Sequence, residues 1–153
     1  MLRRQLLVAA GSLLLGACVG AAKGAPPTAP RPSGEFVANP RLDVWPAFIS
    51  SAPAQVRQAY RFAAQHEAEL RYVPCYCGCG ASGHTSNADC FVKSRSAEGW
   101  MTLEPHGSHC GTCVGIALDV KGMLTYGMSV REIRAAIDAK WASAGPGTPT
   151  PLP

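Results

Sequence analysis

Three cysteines at alternate positions, Cys75, Cys77 and Cys79, sit in the short segment Pro74 to Gly80, and this stretch constrains the chain more than any other. In an extended backbone residues i and i+2 project to the same side, so three sulfurs face one way. In a tight turn that uses a glycine they can instead wrap around a centre. A disulfide between two of them is strained, because the bond demands a particular Cα separation and torsion. The thiols must therefore pair elsewhere, stay reduced or hold a soft metal. Downstream follow His84, Cys90, His106, His109, Cys110 and Cys113. Packing alone does not account for so much sulfur and imidazole.

The beginning of the chain reads as an export signal over 1–17. Arg3 and Arg4 form a basic start, and Leu6 to Leu15 an apolar run too short to span a membrane. The run ends Leu15-Gly16-Ala17-Cys18, which resembles the bacterial lipobox. That resemblance implies cleavage before Cys18 and lipidation of Cys18, and two or more acyl chains give stable anchoring. Residues 18–40, rich in Ala, Pro and Gly without apolar periodicity, read as a flexible tether. The prolines of 144–153 read as a disordered tail. One domain over 41–143 remains, large enough for a modest core. The formal net charge is +4, part of it in the leader, and no basic run interleaved with aromatics points to nucleic acid.

The domain reads as all-α, a bundle of about four helices with the Cys-rich loop between the first two. Ser51 and Pro53 open a helix to about Leu70, with Val56, Tyr60, Ala63 and Leu70 at helical spacing. Ser86 to Asp89 has the form of a capping box before a short helix through Cys90, Phe91, Val92 and Arg95. A further helix starts near His109 or Cys110 and runs through Leu124. Ser129 and Glu132 form another capping box, followed by the apolar stripe Val130, Ile133, Ile137 and Trp141. Met101, Met123 and Met128 read as core fillers.

Cys110 and Cys113 form a CxxC at a helix start, where backbone N–H groups and the helix dipole favour thiolate over thiol. Cys90 is expected in a similar position. Three readings stay open. Exported domains of this size often carry structural disulfides. Crowded thiolates with one or two imidazoles suit a thiophilic ion, Cu(I) above all, with zinc as the other candidate. A thiol–disulfide redox protein would use Cys110 and Cys113, although no βαβ pattern precedes them. The chain has no Ser-His-Asp order, paired carboxylates or phosphate-binding loop, so no enzymatic activity is expected.

The segments Pro74 to Gly80, Gly83-His84, Asp89 to Val92, His106-Gly107, Cys110 to Cys113 and Glu132-Ile133-Arg134 together resemble the bacterial PCYCGC-motif lipoproteins, over about Tyr72 to Trp141. The resemblance implies an exported, lipid-anchored protein and names no reaction. His106 fits that pattern and His109 does not, which favours His84 and His106 as ligands. The expected protein is thus anchored to the membrane through Cys18. It binds a soft metal with Cys75, Cys77, Cys79, Cys90, Cys110, Cys113, His84 and His106, and hands it to a partner protein, buffers it or senses it. The alternatives are a disulfide-stapled structural or interaction lipoprotein and a thiol–disulfide redox protein.

Overall fold

The computed structural model describes residues 32–153. The export signal, Cys18 and the greater part of the tether lie outside the described residues. The chain enters a short strand, β1 (Val37–Ala38), and then a single turn, α1 (Ala47–Ser50). Pro53, with its φ already near the helical value, sits just before α2 (Ala54–Gln65), whose buried face carries Ala59, Tyr60, Phe62, Ala63 and Ala64. The single helix expected to Leu70 breaks at His66, where φ −121° and ψ 32° leave the helical region. A separate turn, α3 (Glu67–Leu70), follows. After the Cys-rich loop come β2 (Val92–Arg95) and β3 (Met101–Leu103), then α4 (His106–His109), α5 (Gly111–Thr125) and α6 (Val130–Trp141).

This architecture corrects the expectation of an all-α, four-helix bundle. Six helices and a three-stranded antiparallel sheet of order β1-β3-β2 make the domain mixed. The largest change falls where a helix was expected through Arg95. Only the turn Ala88–Cys90 winds, as a 3₁₀ helix, and Phe91 leaves it at φ −124°. The Phe91 carbonyl then accepts from the Glu104 N–H at 2.9 Å instead of from a helical neighbour. Val92 pairs with Leu103 and Ser94 with Thr102, so Lys93 forms a bulge. Asp89 still caps locally, because its carboxylate accepts from the N–H groups of Thr85 and Ser86 at 2.6 and 3.2 Å.

The domain is also longer at both ends than 41–143. Val37 and Ala38 are buried and pair with Thr102 and Met101. The segment expected as a disordered tail folds back, and its Thr148 is buried. Helices α2 and α5 form the centre of the core, where Tyr60, Ile116, Ala117 and Val120 exclude water. Each large apolar side chain buried there contributes roughly 1.5–3 kcal/mol. Phe36, Phe48, Tyr60 and Phe91 join edge to face, with centroids 5.0–5.8 Å apart. Met101 is buried in β3, while Met123 and Met128 pack against the core at its margin. Among the described residues no helix is long and apolar enough to cross a membrane.

Candidate metal centre

Four chain segments meet on one side of this core. The first is the loop after α3, in which Cys75 and Cys79 are buried and Cys77 is half-buried. Gly78 turns it at φ +81°, a conformation that side chains with a Cβ rarely adopt, and Cys79 opens the 3₁₀ turn Cys79–Ser82. His84 and Cys90 come from the next loop and its 3₁₀ turn. His106 begins α4, and Gly107 beside it lets that helix approach closely. A Cβ there would stand 2.7 Å from both the Cys90 carbonyl and the Phe91 ring. The fourth segment is the start of α5, where Cys110 is the N-cap residue and Cys113 lies in the first turn.

Among the described residues all six cysteines are free, and their sulfurs form a web rather than three pairs. Cys75 Sγ lies 3.4 Å from Cys77 Sγ and 3.4 Å from Cys113 Sγ. Cys77 and Cys113 are 3.6 Å apart, and Cys79 and Cys90 3.7 Å. The imidazoles join the web, with His106 Nε2 3.5 Å from Cys77 Sγ and His84 Nδ1 3.5 Å from Cys90 Sγ. The two rings meet edge to face at 5.1 Å. Sulfurs bound at 2.3 Å around a tetrahedral ion stand about 3.8 Å apart, close to these separations.

Donor atoms mutually within 4.8 Å form four groups: Cys77, His106, Cys110, Cys113; Cys79, His84, Cys90, His106; Cys75, Cys77, Cys79; and Cys75, Cys90, Cys113. Every one of the eight residues singled out in the sequence belongs to at least one group, and the cluster can hold a metal ion. His109 is exposed and belongs to none.

Hydrogen bonding concentrates negative charge on one sulfur. The thiols of Cys113 and then Cys90 hold Cys75 far below the ordinary thiol range. Cys113 is pushed up for the converse reason, its bonds to Cys75 and Cys90, reinforced by burial. These effects outweigh the pull of the α5 N-terminus, which by itself favours a thiolate. Burial raises Cys77 and Cys79. For Cys90 the largest influence, a hydrogen bond with Cys113, lowers the value, but the bond to Cys75 and burial prevail and raise it.

A second layer of residues fixes these side chains. Thr148 grips Cys75 on both sides of its backbone: the Cys75 N–H donates to Thr148 Oγ1, and the Thr148 N–H donates to the Cys75 carbonyl, each at 3.0 Å. Asn87 donates from Nδ2 to the Cys113 carbonyl at 3.3 Å, and its N–H donates to the Val73 carbonyl at 2.8 Å. The Tyr76 hydroxyl donates to Asp138 of α6 at 2.7 Å, and Arg134 pairs with the same carboxylate at 2.9 Å. Sequence reasoning missed Thr148 and the Tyr76–Asp138 link. Neither a lone threonine among prolines nor an aspartate on a helix carries a local signal of a partner so far along the chain.

A family model described as a protein of unknown function with PCYCGC motif matches residues 37–153. The chain belongs to the PCYCGC-motif family. The match starts at β1 and runs through the segment that holds Thr148, so it covers the whole fold that supports the cluster. No curated protein and no solved structure matches the chain.

Proposed function

We propose that this PCYCGC-motif protein is exported, anchored by lipid at Cys18, and binds a soft metal, Cu(I) before zinc, as a carrier or buffer outside the cytoplasm. The observation that carries the reading is the convergence of six thiols and two imidazoles from four segments into overlapping groups of donors within 4.8 Å. Thiolates select Cu(I) and zinc over the harder ions. A zinc site of the structural kind closes with four ligands, and this cluster offers twice that number, mostly sulfur. Six of these eight donors are sulfur, and so soft a donor set favours Cu(I).

The same geometry disfavours the two alternatives. Structural disulfides need three separate pairs, whereas Cys75 stands equally near Cys77 and Cys113. A redox pair built on Cys110 and Cys113 would stand apart from the other thiols, yet Cys113 Sγ lies 3.4 Å from Cys75 Sγ and 3.6 Å from Cys77 Sγ. The partner this function requires is a protein that delivers or receives the ion through thiols of its own.

Two measurements on protein isolated under reducing conditions test the reading. Elemental analysis should find copper in excess of zinc, and competition with a Cu(I)-specific chelator should show tight retention. Wild-type protein should fractionate with membranes and Cys18→Ser should not. Zinc retained in place of copper would replace the ion, and unchanged fractionation of Cys18→Ser would remove the anchor.

A further inference from the structure

Resting on the soft-metal reading, we propose that the centre holds two ions joined through the Cys75 sulfur, and that one of the two exchanges first. The four-residue groups define two lobes, Cys77-His106-Cys110-Cys113 and Cys79-His84-Cys90-His106, which share only His106. Soft ions take up to four ligands, so no single ion occupies both lobes.

Cys75 belongs to neither lobe and reaches both. It stands within 4.8 Å of Cys77 and Cys79 in one group, and of Cys90 and Cys113 in another. It is fully buried, and its backbone is held on both sides by Thr148, so the sulfur has a fixed place between the lobes. A thiolate has lone pairs enough to bind two cations. With Cys75 shared, the first lobe supplies Cys77, Cys110 and Cys113 and the second Cys79, Cys90 and His84. Each ion then has four donors, and His106 lies at the junction.

The lobes differ in access. Cys77, His106 and Cys110 of the first are half-exposed and only Cys113 is buried, whereas Cys79 and Cys90 of the second are both buried. An incoming thiol or chelator therefore meets the first-lobe ion through Cys77 and Cys110. That ion is the one exchanged with a partner, and the second is retained.

The test is titration of the reduced full chain, kept soluble in detergent, with Cu(I) supplied as its acetonitrile complex. Native mass spectrometry reads the number of ions, and X-ray absorption of the loaded protein reads metal–metal scattering. Saturation at two ions, with a copper–copper shell, is expected. A chelator should remove one ion before the other. Cys110→Ser should weaken one ion and His84→Ala the other, each by roughly tenfold or more, while Cys75→Ser weakens both. The absorption measurement uses wild-type protein, so the bridge stays testable if Cys75→Ser fails to fold. Saturation at one ion or at more than two, or two ions without a metal–metal shell, overturns the proposal while leaving soft-metal binding intact. No bound ion at all overturns the soft-metal reading together with it.

Discussion

At the scale of residues, Cys75 and its neighbours divide one chemistry unequally. Cys75 is held toward thiolate by hydrogen bonds from Cys113 and Cys90, whereas Cys77, Cys79, Cys90 and Cys113 are held toward thiol. The lowered value of Cys75 stabilises the fold above the ordinary thiol pKa and loses that effect as pH falls toward its folded value. The four raised values act in the opposite sense. Their contribution is complete below the unfolded thiol value near 8.5 and is lost as pH rises above it. The metal-free, reduced protein should therefore melt at a lower temperature at pH 10 than at pH 8. Each kcal/mol lost costs roughly 4 °C in a domain of this size. Thermal melts across that range check the expectation, and a melting temperature that stays level or rises contradicts it. That the thiols act as a group was legible in the sequence, because alternation in Cys75, Cys77 and Cys79 restricts internal bridges. Which sulfur carries the charge was not legible, since it depends on Cys113 lying 3.4 Å from Cys75 after the chain has folded.

At the scale of elements, local signals succeeded where they were complete. Ser129 and Glu132 form both halves of a capping box, and α6 begins there with Ile133 and Ile137 buried. Helix α5 starts at the CxxC as its spacing suggested. The strands were hidden because they run two to four residues, too short to show alternation, and pair across long separations such as Val37 with Thr102. Val92 reads equally well on a short helix until Glu104 claims the Phe91 carbonyl. The C-terminal segment was misread for a similar reason. Its prolines lack a donor and suggest disorder, but Thr148 supplies the polar partners that the buried Cys75 backbone needs. Removing residues 145–153 should leave the Cys75 N–H without its acceptor, at a cost of about 1–3 kcal/mol. Both the melting temperature and the Cu(I) affinity should fall. Thermal melts and chelator competition on the shortened chain check this, and unchanged values in both would show that the segment only covers the loop.

At the scale of the whole molecule, a small mixed α/β core supports a face on which four segments deliver six thiols and two imidazoles. The PCYCGC-motif match spans that core and that face together. Metal binding by such a cluster can supply on the order of 10 kcal/mol toward folding, against roughly 2–4 kcal/mol from one disulfide. The reading thus rests on the state of the six cysteines in the cell. Intact mass of protein taken directly from the membrane fraction, under native and then denaturing conditions, reports that state most directly. The account predicts a native mass that includes bound soft metal and a denatured mass in which all six thiols keep their hydrogens. A denatured mass short of six hydrogens, with no metal in the native spectrum, would mean three disulfides and would contradict it.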